Sequence, residues 1–134
     1  MAKYVGRQFV ASMKKVGCSV CSEKDPACMD YHHIDPEGKS FSMSCRVKQR
    51  RLLTLLRESA KCVVLCSNCH RKHHYYGDYM EFKKPGIREM KRRLRHAVED
   101  GVISEAEFTR LASTLSASGT KPARRTRKSR SRSQ

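Results

Sequence analysis

The residues that could do chemistry are concentrated in two short stretches. Cys18-x-x-Cys21 and Cys66-x-x-Cys69 place two pairs of thiolates at the spacing that lets each pair grip one side of a tetrahedral ion. Four sulfur ligands favour Zn²⁺ in a closed structural site that leaves no position open for substrate. Buried free cysteines are the plain alternative, but two such pairs in a short chain point strongly to metal. The remaining three of the seven cysteines, Cys28, Cys45 and Cys62, sit singly beside apolar neighbours and read as small core residues rather than nucleophiles.

Five of the six histidines fall in the same stretches, as His32-His33 and as His70, His73 and His74. On a helix His70 and His74 project from one face and converge on one ion, while His73 points away. His32 and His33 are neighbours on a strand candidate and face opposite sides, so both serve one site only if the strand ends there, as Pro36 and Gly38 imply. The expected division of labour has His32, His70 and His74 holding a divalent cation, Mg²⁺, Mn²⁺ or another. His33 stays unligated and takes a proton from the attacking water, a task suited to a group that titrates near neutrality. The cation would polarise a phosphodiester and stabilise the leaving 3′ oxygen, so that hydrolysis leaves a 5′ phosphate. The plainer reading is that these histidines complete a zinc site or lie on a DNA-facing surface.

Positioning these groups is the task of the elements around them. Val5, Phe9, Met13 and Val16 recur at helical spacing and predict an N-terminal helix within residues 1–16. Cys28–Ile34 reads as a short strand stopped by Asp35-Pro36-Glu37-Gly38. Leu52, Leu53, Leu55 and Leu56 among basic residues predict an amphipathic helix from Val47 to Ala60, and Lys61–Leu65 a second strand. The knuckle Cys66-Ser67-Asn68-Cys69 breaks that strand and opens a helix from about His70 to Tyr76. Closing the four-cysteine site would then draw His32-His33 towards His70 and His74. After Pro85-Gly86, Ile87, Met90, Leu94 and Val98 line one helix that Asp100-Gly101 ends; Ser104 and Glu107 form a capping-box pattern for the next, with Phe108, Leu111 and Leu115 apolar.

A formal charge of +16 makes a polyanion the default partner, because Lys and Arg that neutralise phosphates release condensed counterions. Membrane is the rival, but no apolar run approaches the ~20 residues needed to span a bilayer. Residues Met1–Arg7 lack the apolar stretch of a secretory signal, so a cytoplasmic protein of a bacterium or a phage-infected host is expected. Lys121–Gln134 holds seven basic residues and no acidic ones and is expected to be a disordered, nucleic-acid-binding tail.

Asp30-Tyr31-His32-His33-Ile34-Asp35-Pro36-Glu37-Gly38-Lys39-Ser40-Phe41-Ser42-Met43-Ser44, with Lys61-Cys62-Val63-Val64-Leu65-Cys66-Ser67-Asn68-Cys69-His70-Arg71-Lys72-His73-His74, resembles a subgroup of the HNH endonucleases of bacteria and phages. The resemblance covers roughly residues 16–78. It implies a small α+β chain with a ββα-metal core stapled by a four-cysteine zinc knuckle, and cutting of DNA that depends on a divalent cation. It further implies His32, His70 and His74 as cation ligands and His33 as general base. Many HNH proteins carry an Asn just before the second strand, where this chain has Lys61; Asn68 lies inside the knuckle and is not assigned that bracing role.

The expected organisation is an N-terminal helix (1–16), a nuclease core with its zinc knuckle (17–84), a helical hairpin (85–118) and a basic tail (119–134). The hairpin resembles short C-terminal hairpins appended to many bacterial proteins and is read as an element for self-association or a protein partner. Arg71, Lys72, Lys83, Lys84, Arg92, Arg93, Arg124 and Arg125 are candidate phosphate contacts, each of which equally suits a solvated surface. The leading function is a metal-dependent DNA endonuclease. The alternative is a zinc-stabilised nucleic-acid-binding protein without catalysis.

Overall fold

Phe9, Val10 and Met13 are buried on one side of α1 (Val5–Met13), which tightens into a 3-10 turn at Lys14–Val16. Gly17 follows with φ of 86°, a left-handed conformation that a residue with a Cβ adopts only under strain, and it releases the chain into the first cysteine pair. The computed structural model describes residues 5–45, 47 and 50–118. The candidate contacts Arg124 and Arg125, and the tail to which they belong, lie outside those residues.

Two strands and a helix form the centre. β1 (Met29–His33) pairs antiparallel with β2 (Cys62–Cys66), Met29 opposite Cys66 and His33 opposite Cys62. The chain between them carries a 3-10 turn at Pro36–Gly38, capped by the Asp35 carboxylate accepting from the Glu37 amide, and α2 (Leu52–Ser59). β2 runs directly into α3 (Ser67–Tyr75). This helix starts earlier than the expected His70 because the Cys66 thiol caps it, accepting from the Cys69 amide at 3.4 Å. The knuckle therefore does not precede the helix; it is the helix's first turn. Among the described residues the fold is a small α+β arrangement of five α-helices and one two-stranded sheet.

The last two helices, α4 (Ile87–Glu99) and α5 (Glu105–Ser118), form the expected hairpin, with Gly101 left-handed at the turn and the Ser104 hydroxyl accepting from the Glu107 amide. Their apolar face is spent within the chain. Met90, Leu94, Ala97, Ile103 and Leu111 share one core with Phe9 and Met13 of α1 and Leu55 and Leu56 of α2. A smaller cluster of Met29, Val64, Cys66 and Cys69 lies under the knuckle. Gly6 is where α1 meets the chain ahead of α2: a Cβ there would collide with the Val47 carbonyl oxygen.

Arg93 corrects an expectation. It is only 1% exposed, and its guanidinium donates to the Ser59 carbonyl at 2.6 Å and the Cys62 carbonyl at 2.9 Å, so it cannot reach a phosphate. Its place on α4 between Met90 and Leu94 turns it inward, where it satisfies the carbonyls at the α2–β2 junction. Arg92, next to it in the chain, is exposed and paired with Glu89. Among the described residues no helix is long and apolar enough to cross a membrane.

Candidate functional site

Cys18, Cys21, Cys66 and Cys69 come together with one sulfur from each within 4.8 Å of the others. The first pair is held against the sheet because the Ser19 amide donates to the Val64 carbonyl and the Cys18 amide to the Glu23 carbonyl. The second pair opens α3, where the positive end of the helix dipole faces the sulfurs. Amides of Val20 and Cys21 point at the Cys18 sulfur. Burial opposes ionisation of Cys18, but hydrogen bonds from backbone amides outweigh it and hold its pKa at about 7. Cys69 moves the other way, raised by burial and then by the crowding of the other three sulfurs. Four thiols gathered this closely are compatible with a zinc site. Of the leftover cysteines only Cys62 is a core residue, its pKa raised to about 12 by burial; Cys28 and Cys45 are exposed.

One turn along α3, three imidazoles converge. His32 Nδ1 lies 3.2 Å from His70 Nε2, and His74 Nε2 lies 3.1 Å from the same His70 nitrogen. The outer nitrogens are occupied: His70 Nδ1 meets an Asp30 carboxylate oxygen at 3.2 Å and His74 Nδ1 meets Asp78 at 2.6 Å. A carboxylate only accepts, so each Nδ1 carries the hydrogen, and in the neutral rings the two Nε2 lone pairs aim at each other and at His32. Lone pairs so arranged repel one another; a cation between them removes the conflict. Burial, and then the charge of the neighbouring imidazoles, depresses the His32 pKa to about 4, which keeps its nitrogen available as a donor to metal.

Local sequence builds this cluster. Asp30 and His32 alternate onto the face of β1 that looks at α3. Gly77 and Asp78 both take positive φ after α3 ends, which folds Asp78 back to His74. His73 is buried rather than directed away: its Nδ1 accepts from the Met80 amide at 3.0 Å, and its ring packs on Phe82 and His32. His73, His74 and Asp78 also lie close enough to hold an ion, but with Nδ1 taken the remaining His73 nitrogen bears a hydrogen in the neutral ring and faces Asp78. His70 and His74 keep Nε2 lone pairs, and His32 Nδ1 faces them, so these three are the better-placed set.

His33 is placed otherwise than expected. β1 runs through it, in register with Cys62, so the chain has not yet turned and His33 projects from the face opposite His32. Its Nε2 lies 2.8 Å from Glu58 Oε1, a buried carboxylate on α2 that also accepts from the Ser40 amide and the Lys61 ammonium. Burial pushes the Glu58 pKa up, but Lys61, the Ser40 amide and His33 together bring it down to about 2. His33 still borders the imidazole cluster, for it lines a cleft of about 390 Å³ with Asp30, His70, Lys14, Lys39 and Ser42.

The cationic residues divide. Arg71, Lys72, Lys83 and Lys84 are exposed, as a phosphate contact requires. Lys14 and Lys39, which border the cleft, carried no sequence signal beyond their charge. Asp30, Glu58 and Asp78 were missed as well. Asp30 directly precedes Tyr31-His32-His33, and Glu58 falls three residues after Leu55 on the buried side of α2, so a charged residue on an apolar face was the available sign. Comparison with known protein families, curated proteins and solved structures finds no match to this chain.

Proposed function

We propose that the chain is a divalent-cation-dependent DNA endonuclease of the HNH kind, in which β1, β2 and α3 form the ββα-metal core and Zn²⁺ occupies the four-cysteine site. The carrying observation is the pair of Nε2 lone pairs on His70 and His74 turned towards each other and towards His32 while their other nitrogens are anchored on Asp30 and Asp78. Carboxylate-anchored imidazoles are how proteins orient metal-binding histidines. A divalent cation bound there would supply Lewis-acid stabilisation to the phosphodiester and to the departing 3′ oxygen.

The remaining chemistry belongs to the chain. His33 has Nε2 committed to Glu58, which leaves Nδ1 to take the proton of a water as that water's oxygen attacks phosphorus and the bond to the 3′ oxygen breaks. The departing 3′ oxygen takes a proton from solvent water, so the products are a 5′ phosphate and a 3′ hydroxyl. Lys14 and Lys39 border the cleft where phosphate charge would lie, and Arg71 and Lys72 extend the basic surface along α3.

The test uses supercoiled plasmid with Mg²⁺ or Mn²⁺. Wild type is expected to nick it, and His33→Ala to lose nicking by about two to four orders of magnitude while DNA binding and both metal contents persist. Binding without cleavage under every divalent metal tried would instead establish a zinc-stabilised nucleic-acid-binding protein.

A further inference from the structure

We propose that Glu58 is a positioning residue for His33, fixing the imidazole in the form that carries hydrogen on Nε2 and presents Nδ1 to the cleft. The inference rests on the reading of His33 as the base. Its geometry is closed on every side. Glu58 Oε1 receives His33 Nε2 at 2.8 Å and the Ser40 amide at 2.9 Å, and Oε2 receives Lys61 Nζ at 2.8 Å. Lys61 in turn donates to the Gly38 carbonyl at 2.9 Å and the Ser40 hydroxyl at 3.0 Å.

A carboxylate only 3% exposed is costly to keep ionised, and a leucine at this point of α2 would extend the apolar face without that cost. Its hydrogen bonds are instead arranged so that three parts of the chain meet at one group: β1 through His33, the turn after it through Ser40, and the start of β2 through Lys61. The ionised carboxylate has no proton to give, so His33 Nε2 must hold one. Imidazole ring nitrogens are not interchangeable, and the partner of one decides what the other can do. The Glu58–Lys61 pair thereby ties the turn after β1 to the strand beside it.

The spectrum tests the assigned ring form, and the kinetics separate a positioning role from a loop staple. In the full chain purified with its metal, ¹⁵N correlation spectra of the neutral His33 ring should show hydrogen on Nε2; hydrogen on Nδ1 overturns the proposal. In plasmid nicking, Glu58→Ala should lower kcat on the order of a hundredfold with KM changed by about twofold or less. Glu58→Gln, which keeps an acceptor oxygen for His33 while Lys61 retains Gly38 and Ser40, should recover most of that loss. In a His33→Ala background, adding Glu58→Ala should cost less than about twofold more, because the carboxylate acts only through the ring it holds. A full additional loss in that background, or an effect confined to KM, overturns it. Where Glu58→Ala fails to fold, the wild-type spectrum and Glu58→Gln still decide. A wild type that cuts no DNA removes the endonuclease reading and leaves the spectrum to judge the Glu58 assignment alone.

Discussion

Asp30 and Asp78 illustrate how single side chains set the character of this site. Each fixes an imidazole by its outer nitrogen, so Asp78→Asn is expected to weaken Mn²⁺ binding about tenfold to a hundredfold in calorimetric titration, with zinc content unchanged. Arg92 and Arg93 make a contrasting pair. Arg93→Met leaves the Ser59 and Cys62 carbonyls without their donor and should cost about 2–4 kcal/mol in urea unfolding, whereas Arg92→Ala should leave stability within about 0.5 kcal/mol. Glu58 adds a pH dependence whose sign follows from its depressed pKa. Its contribution is fully present above the unfolded value of 4.5 and is lost as pH falls towards about 2. Unfolding free energies of wild type and Glu58→Gln, measured in urea, should therefore converge over that interval, by up to about 3 kcal/mol. The convergence of His70 and His74 was legible in the sequence because i, i+4 spacing carries its own geometry. Asp30, Glu58 and Asp78 were not, since what a carboxylate touches is decided by which elements meet.

Helices and strands were read well where a periodic face or a turn signal existed, as in α1, β1 and the 87–118 hairpin. The start of α3 was missed because nothing in the pattern says that a cysteine will act as a cap, and once it does the knuckle and the helix become one element. Cys66→Ser should accordingly release zinc and unfold the strand-and-helix centre together, seen as loss of both metal by elemental analysis and near-ultraviolet dichroism, while Cys45→Ser changes neither. The hairpin was recognised as an element but not as a part of the core. Met90, Leu94 and Leu111 cover Phe9, Met13, Leu55 and Leu56, so a chain cut after Lys84 should bind hydrophobic dye and lose cooperative unfolding. A cooperative, dye-silent fragment would restore the hairpin as a separable appendage.

For the molecule as a whole, the charge of +16 outweighs any single contact. Ion-pairing with phosphates makes affinity fall with salt in proportion to the number neutralised, so removing Lys121–Gln134, with its seven basic residues, should flatten the slope of log K against log salt and leave metal content intact. An unchanged slope would show that the tail takes no part. The charge itself is legible from composition alone, since net charge needs no fold. The burial of Arg93 shows the limit of that kind of reading: a basic residue counts towards the total whether it faces solvent or lies inside.

The joining of both donor sets on one nine-residue helix has a consequence for how such a gene can change. Each residue of an α-helix advances the face by about 100°. A single codon inserted between Cys69 and His70 would leave all four sulfurs in place and swing His70 and His74 away from His32, and one inserted directly after Gly38 would draw Ser40 off Glu58 and Lys61. A change of length inside α3 therefore separates the two clusters that the helix joins. Descendants of this chain that drifted there would keep the four-sulfur cluster and lose the convergence of the three imidazoles at a stroke.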